Sequence, residues 1–318
     1  MKLKEIYELF IELGKDNDPR SKREIDKELA RVRKEYKDMK AEDKKYFDTD
    51  RLDNPYADTR ILAGELDKEV KNILVGIDIE VPEVLLADTL RQRGEEIDLI
   101  IAHHPEGRAF AALYQVMHMQ EDILAKMGIP INVAEGILSS RISEVERGLL
   151  PLNHNRAVDA ARILDYPFMC VHTPADNMVN TFLEELLKKK DPATLGEVVK
   201  VFKDIPEYHE AAKIGAGPKI VIGNEKRRTG KIMVDMTGGT GGSKDAYAKL
   251  SVAGIGTIIT MHISEDHRKE AEKNHVNVII AGHMASDSLG MNLLLDQLEQ
   301  KGIGIKACSG LIRVSRNH

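Results

Sequence analysis

The sequence predicts an α/β protein with two similar halves and a helical N-terminal extension. Three observations lead to this fold class. Short aliphatic runs alternate with segments whose apolar residues recur every three or four positions, which is the pattern of strands alternating with helices. The order strand, helix, strand, helix, strand occurs twice along the chain. Residues 1–62 show only helical spacing on a charged background, which indicates a segment used for packing or oligomer contacts, with no chemistry.

The composition is that of a globular protein with a large core, because 42% of the 318 residues are hydrophobic and 31% are charged. No apolar run reaches the roughly 18 residues that a membrane helix needs. The first residues lack the apolar core of a signal peptide, so we expect a cytoplasmic protein with no membrane partner. The net charge of −6 argues against a nucleic-acid partner. Cys170 and Cys308 are too few for a disulfide framework.

The pattern divides the chain into four regions. They are the extension 1–62, a first α/β half 63–190, a connecting segment 191–230 and a second α/β half 231–318. Strands are predicted at 70–78, 97–102, from 168, 231–235, 256–262, 276–281 and within 304–314. Helices are predicted twice in the extension, at 82–91, 109–127, 157–164, 177–190, 244–252, 265–274 and 289–301, and inside 191–217. The first half is longer because it carries an insertion around 135–155, in a connection interrupted by glycine and proline.

Two adjacent histidines follow the strand predicted at 97–102. His103 and His104 are expected beyond the carboxyl end of this strand, where open α/β sheets place their binding sites. Neighbouring residues of a strand point to opposite sides, but Pro105 ends the strand, so both side chains can serve one site. Taken alone, the pair is explained equally well by one packed and one surface histidine.

A His-x-x-x-Asp motif follows an apolar strand in each half. The first is His172 with Asp176, and the second is His283 with Asp287. One such spacing often arises by chance, as an N-capping aspartate beside a structural histidine, but two in corresponding places favour a metal cluster. These imidazoles and carboxylates suit two divalent cations such as Zn, Mn or Fe, with one carboxylate bridging them.

Four segments together resemble a known family. They are Ile-Ile-Ala-His-His-Pro, His-Thr-x-x-Asp, Gly-Gly-Thr-Gly-Gly and Ala-Gly-His-x-x-x-acid, in this order. Over residues 64–318 the chain is similar to the NGG-interacting-factor-three (Nif-three) family, also called GTP cyclohydrolase I type 2 homologues. The resemblance implies two α/β halves with a dinuclear metal centre in the cleft between them, and a toroidal homo-hexamer.

The resemblance also implies roles for single residues. The implied metal ligands are His103, His104, Asp176 as the bridging carboxylate, His283 and Asp287. His172 is implied as a supporting residue or occasional ligand. Asp287 departs from the family, which usually has the longer glutamate there. The segment around His262 also departs from the family pattern, so His262 and His267 are candidates for substrate contact, with surface histidines as the alternative.

The glycine-rich segment 237–243 lies between a predicted strand and a predicted helix. It is not a P-loop, because Lys244 follows Ser243 where that motif needs Gly-Lys-Ser/Thr. Two interpretations have equal weight. Amides near Gly239 and Gly241 can cradle an anion of the substrate, or the glycines allow a tight turn near the metal cleft.

These features predict a metal-dependent hydrolase that acts on a nucleotide-like or phosphorylated small molecule through a metal-activated water. The family label implies cyclohydrolase chemistry, whereas the residues themselves indicate only cations competent for hydrolysis. Glu106, just after the histidine pair, is a weak candidate for a general base. The alternative is a non-enzymatic ring protein whose metals serve partner docking or storage.

Overall fold

The computed structural model describes residues 1–317, and it confirms the predicted mixed α/β class. The strands are β1 Arg60–Ala63, β2 Asn72–Gly76, β3 Leu99–Ala102, β4 Phe168–Cys170, β5 Lys219–Ile222, β6 Lys231–Asp235, β7 Ile255–Thr260, β8 Asn277–Ile280 and β9 Gly304–Cys308. The α-helices are α1 Leu3–Asp16, α2 Lys22–Asp38, α3 Val81–Gln92, α4 Gly107–Ala111, α5 Leu113–Val116, α6 Met119–Lys126, α7 Ile131–Leu149, α8 Arg156–Ile163, α9 Thr173–Lys190, α10 Leu195–Lys203, α11 Pro206–Lys213, α12 Ala246–Val252, α13 Glu265–Lys273 and α14 His283–Glu299. No helix of the described chain is long and apolar enough to cross a membrane.

The strands form two sheets with a shared arrangement. The first has the order β1-β4-β3-β2-β9 and the second has the order β5-β8-β7-β6. In each sheet an antiparallel edge strand lies beside a set of parallel strands, because β1 pairs antiparallel with β4 and β5 pairs antiparallel with β8. The parallel set has four strands in the first sheet and three in the second. The last strand, β9, pairs with β2. It therefore belongs to the first sheet, although it lies far along the second half of the sequence.

The helices α9 and α14 lie against each other between the two sheets. Met291 and Leu294 of α14 pack on the first sheet, whereas Val179 and Leu183 of α9 are buried in the core of the second. Each of these helices begins directly after a central parallel strand, β4 or β8. The N-termini of both helices therefore meet at the carboxyl ends of the parallel strands.

The connection between β3 and β4 differs from the expected irregular insertion. Residues 131–149 form the helix α7, and the helix predicted at 109–127 is divided into α4, α5 and α6. Met117, Ile123 and Leu138 of this connection are buried together with Met233 and Tyr247 of the second half. The helices of the connection bury their apolar residues against one face of the second sheet. An apolar sheet face must be covered by another layer of secondary structure, and here the connection supplies that layer.

Two strands, β1 and β5, were not predicted, and several helix starts differ from the prediction. The helix expected at 289–301 begins at His283, and the one expected at 177–190 begins at Thr173. Both His-x-x-x-Asp motifs therefore lie on helix N-termini, not in loops. The helix expected inside 191–217 is two helices, α10 and α11, because Pro206 opens the second of them.

The extension is part of the core of the protein. Leu3, Ile6 and Phe10 of α1 are fully buried against the first sheet and its central helices. Arg60, at the start of β1, is also fully buried, and its guanidinium donates to Asp48 Oδ2 at 2.8 Å and to the carbonyl of Thr59 at 2.7 Å. These contacts tie the charged N-terminal segment to the edge of the first sheet.

Candidate metal centre

Histidine and aspartate side chains from three strand ends converge on one cluster. His103 and His104 directly follow β3, and His172 is the N-cap residue of α9. The remaining members are Asp176 of α9, and His283 and Asp287 of α14. The structure therefore brings together the ligand residues that the sequence predicted.

Asp287 lies at the middle of the cluster. Its Oδ1 is 3.6 Å from His103 Nε2, and its Oδ2 is 3.5 Å from both His104 Nε2 and His283 Nε2. Asp176 lies on one side of this arrangement. Its Oδ1 is 3.6 Å from His103 Nε2, and its Oδ2 is 3.7 Å from His172 Nε2.

Several of these buried polar atoms make no hydrogen bond to the residues that the structure describes. They are His103 Nε2, Asp176 Oδ1 and both carboxylate oxygens of Asp287. Separations of 3.5–3.7 Å are too long for hydrogen bonds of normal strength. Ligands bound about 2.0–2.2 Å from a tetrahedral cation lie about 3.3–3.6 Å apart. The residues present therefore fit divalent cations, which would satisfy otherwise unpaired buried groups.

The other ring nitrogen of three histidines is held by an oxygen acceptor. His103 Nδ1 lies 3.1 Å from the carbonyl of Val171, His104 Nδ1 lies 2.7 Å from Asp78 Oδ1, and His172 Nδ1 lies 2.8 Å from Asp58 Oδ2. A proton on Nδ1 that is donated to such an oxygen leaves the lone pair on Nε2. Each of these imidazoles is therefore oriented to present Nε2 to the cluster.

Burial and mutual charge shift the pKa values of the cluster in opposite directions. Burial lowers the pKa of His103 to about 4, so this imidazole is neutral near pH 7. Burial raises the pKa of Asp176 to about 8. Burial also works to raise the pKa of Asp287, but the surrounding histidines hold it well below its usual range. Burial opposes the charge on His172, yet Asp176 and Asp58 raise its pKa to about 9.

Asp58 is a residue of the candidate site that the sequence prediction missed. It lies in the extension, is fully buried, and accepts hydrogen bonds from His172 Nδ1 at 2.8 Å and Thr173 Oγ1 at 2.6 Å. The neighbouring Thr59 Oγ1 accepts from the backbone N–H of His172 at 3.1 Å. Nothing in the sequence distinguishes Asp58 from the other acidic residues of its segment, so only the fold reveals this contact. The expectation that residues 1–62 serve packing or oligomer contacts did not anticipate this contact with the cluster.

His262 and His267 have different surroundings. The His262 ring lies 5.0 Å from the His283 ring, between centroids, but His262 belongs to none of the ligand groups whose atoms lie within 4.8 Å of one another. Its ring nitrogens have no hydrogen-bond partner within the described part of the chain, and it lines the adjoining cleft. His267 is engaged on both sides, with Nδ1 2.6 Å from Ser264 Oγ and Nε2 2.9 Å from the carbonyl of Gly242.

A cleft of about 880 Å³ opens beside the cluster. Asp78, Glu80 and Glu106 lie on its first-sheet side, together with His104. The second-sheet side is formed by the glycine-rich segment 237–243 and by His262. The helical connection contributes a further wall. Ligand pockets in proteins usually have volumes of about 300–1,000 Å³, so the cleft has room for a small-molecule substrate.

The glycine-rich segment bends closely around Gln120 of α6. Gln120 Nε2 donates to the carbonyls of Gly238 and Thr240, both at 2.7 Å. A Cβ at Gly238 would lie 2.7 Å from Gln120 Cγ, and this glycine has a φ of +103°. Gly239 also has a positive φ of +86°, whereas a Cβ at Gly241 would meet nothing closer than His262 Cε1 at 4.0 Å. The tight-turn interpretation therefore holds for Gly238 and Gly239.

The family model and the solved structures that match this chain point to the same protein family. Residues 153–312 match the model of the Duf34/NIF3 (NGG1p interacting factor 3) family, a range that includes Asp176, His283 and Asp287. No curated protein matches the chain.

Solved structures share the fold. The crystal structure of a NIF3 superfamily protein from Sphaerobacter thermophilus has 26% sequence identity and a TM-score of 0.70, over 80% of this chain and 92% of that chain. Reduced HcgD from Methanocaldococcus jannaschii has 17% identity and a TM-score of 0.50, over 78% of this chain and 87% of that chain. The resemblance seen in the sequence motifs is confirmed, and the chain belongs to the Duf34/NIF3 family.

Proposed function

We propose that this protein binds two divalent cations and is a metal-dependent hydrolase that acts on a nucleotide-like or phosphorylated small molecule. The observation that carries the proposal is the set of buried, unpaired ligand atoms of His103, Asp176 and Asp287, which face one another beside the cleft. Unpaired buried groups of this kind cost free energy, and bound cations offset that cost.

The distances support two overlapping ligand groups. His103, Asp176 and Asp287 Oδ1 form one group, with His172 at its edge. His104, His283 and Asp287 Oδ2 form the other. Asp287 belongs to both groups and is therefore our candidate for the bridging carboxylate, in place of Asp176, which the family resemblance implied. The imidazole and carboxylate donors suit Zn, Mn or Fe.

Bound cations would lower the pKa of a water molecule and polarise the group that it attacks. The side chains around the cluster perform the other tasks. Asp58 and Asp78 orient the imidazoles of His172 and His104. Burial, followed by the charge of Glu80, raises the pKa of Glu106 to about 7, so Glu106 can accept or give a proton near neutral pH. Glu106 and His262 line the cleft, where they can contact a substrate.

The assembly state is part of the same proposal. We propose that the chain forms the toroidal homo-hexamer that the family resemblance implies and that it is located in the cytoplasm. Leu150, Ile163, Ile214 and Val252 are 71–89% exposed and are therefore available for contacts between copies of the chain. Mass measurement of the purified protein in solution tests the oligomer.

Metal content and turnover test the hydrolase proposal. We expect two cations per chain by elemental analysis, and hydrolysis of at least one member of a panel of nucleotides and phosphorylated metabolites. The variant with both His103→Ala and His104→Ala removes one donor from each ligand group, so it should lose metal and activity together. Equal activity in this variant and the wild type would falsify the proposal. Stoichiometric metal without turnover would instead favour the non-enzymatic ring protein.

A further inference from the structure

The glycine-rich segment 237–243 presents an unusual surplus of backbone donors to the cleft. The amide N–H groups of four consecutive residues, from Gly241 to Lys244, donate to no acceptor among residues 1–317. All four residues line the cleft. Backbone N–H groups usually have a partner, and a run of free ones forms the concave donor surface that binds anions in other proteins.

The carbonyl groups of the same segment are bound by side chains from three helices. Gln120 of α6 binds the carbonyls of Gly238 and Thr240. Arg141 Nε of α7 donates to the carbonyl of Gly241 at 3.0 Å, and His267 Nε2 of α13 lies 2.9 Å from the carbonyl of Gly242. The carbonyls of Gly238, Thr240, Gly241 and Gly242 are therefore satisfied, while the N–H groups from Gly241 to Lys244 remain available. This arrangement also fixes the segment before any ligand binds, which reduces the ordering cost of binding.

Two cationic side chains flank these donors. Arg141 and Lys244 both line the cleft, and each has a weak acidic partner. Arg141 Nη1 is 2.9 Å from Glu144 and Lys244 Nζ is 3.5 Å from Asp266, but these carboxylates are 64% and 67% exposed. Exposed ion pairs contribute about 0–1 kcal/mol, so either cation can exchange its partner for a ligand. Acidic side chains line both sides of the cleft. Asp78, Glu80 and Glu106 lie opposite these donors, whereas Glu144, Asp235, Asp245 and Asp266 lie on the same side as the donors.

We infer that a binding site for the phosphate group of the substrate is formed by the backbone N–H groups of residues 241–244 together with the side chains of Arg141 and Lys244. The inference rests on the proposed function and narrows its substrate class to small phosphate monoesters, whose reacting group lies at the metal centre while the phosphate occupies this second position. His262 lies between the two positions, 4.0 Å from the Cβ position of Gly241 and 5.0 Å from the His283 ring, between centroids. A phosphate matches the site better than a carboxylate, because its three oxygens accept more hydrogen bonds.

Calorimetric titration with inorganic phosphate tests this site in the metal-loaded full chain. We expect the phosphate dissociation constant to rise about tenfold in Arg141→Gln and several-fold in Lys244→Gln, because each loses a charge-assisted contact. Arg147→Gln is the matched control, since Arg147 lies on the same helix, contacts Ser143 and does not line the cleft. Its dissociation constant should equal that of the wild type. Lys244→Gln changes only an exposed ion pair, so its fold is preserved even if Arg141→Gln disturbs the segment.

The same titration separates this site from the cations. The variant with both His103→Ala and His104→Ala should still bind phosphate, because its donors are those of the glycine-rich segment. Loss of phosphate binding in that variant, with unchanged binding in Arg141→Gln and Lys244→Gln, would place the phosphate on the cations and overturn the inference while leaving the hydrolase proposal intact. Equal affinity for acetate and phosphate would also overturn it. Selective phosphate binding that depends on Arg141 and Lys244 supports it, whether or not the metal-dependent turnover is found.

Discussion

The helices α9 and α14 carry the same His-x-x-x-Asp motif, but the motif lies one residue further into the helix in α14 than in α9. On α9 the histidine, His172, is the N-cap and Asp176 is the fourth helical residue. On α14 the histidine, His283, is the first helical residue and Asp287 is the fifth. The strand register shows the same offset, because Val171 and Ala281 make equivalent backbone hydrogen bonds to the neighbouring strand.

An offset of one residue rotates a side chain by about 100° around a helix. Asp287 therefore contacts the histidines of both sheets, whereas Asp176 contacts only those of the first. The equivalent positions have structural roles. Ser286 Oγ donates to the carbonyl of Gly282, and Asn177 Nδ2 donates to the carbonyl of Gly14. The two motifs therefore make different contacts, because each helix places its carboxylate at a different angle to the cluster.

The two sheets also differ in how they support the cluster. The histidines of the first sheet are oriented by Asp58, Asp78 and a backbone carbonyl. Neither His262 nor His283 of the second sheet has such a partner in the described residues. The imidazoles of the first sheet are therefore more firmly oriented than those of the second, and the second side lies open to the cleft with its unpaired backbone donors.

The largest expected effect comes from substitution of Asp287, and comparison with the same substitution at Asp176 tests whether the two carboxylates have different roles. Asp287→Asn should reduce the metal content from two cations per chain to fewer than one, since it removes a ligand from both groups. Asp176→Asn should leave one cation bound. Removal of a supporting partner alone weakens metal binding by about 10- to 100-fold, so activity should fall by more than about a hundredfold in Asp287→Asn. Elemental analysis and turnover of both purified variants measure this, and equal metal content in the two would contradict the bridging role.

The next effect concerns the two supporting aspartates of the first sheet. Asp58→Asn breaks a buried pair with His172 and should lower the free energy of unfolding by about 3–5 kcal/mol, together with a roughly 10- to 100-fold loss of metal affinity. Asp78 is 58% exposed, so Asp78→Asn should change stability by less than about 1 kcal/mol. Urea denaturation and metal titration compare the two. Similar losses of stability would show that burial of Asp58 is unimportant.

The smallest effect is a pH dependence on the acidic side of the cleft. The pKa of Glu106 rises on folding from an ordinary 4.5 to about 7, mainly through burial. The folded chain therefore binds this proton more tightly than the unfolded chain, and the contribution of Glu106 to stability falls as the pH rises from about 4.5 to 7. Glu106→Gln should remove that fall and make the protein more stable than the wild type at pH 7.

Urea denaturation of metal-free protein across this pH range measures the difference between Glu106→Gln and the wild type. Glu185→Gln, at an exposed position of α9, is the control and should follow the wild-type curve. A constant difference between Glu106→Gln and the wild type at every pH would show that Glu106 titrates as an ordinary surface glutamate.

Much of the candidate site could be predicted because its residues lie in short, recognisable patterns. His103 and His104 end an aliphatic strand, and both His-x-x-x-Asp motifs follow another, so their convergence follows from the geometry of parallel strands. Asp58 had no such signal, since it orients His172 from a position 114 residues earlier in the chain. The same holds for Gln120, whose contacts with the glycine-rich segment span 118 and 120 residues.

The sequence by itself determined the α/β class, the family and the histidine and aspartate residues that form the cluster, because strand pattern and motif spacing are local properties of the chain. Only the tertiary structure decided that Asp287 reaches both ligand groups, that the extension supplies Asp58, and that the glycine-rich segment is clamped by three helices. Each of these depends on the angle between packed elements or on contacts between distant segments. A difference of one residue at a helix start changes such an angle without changing the pattern of the sequence.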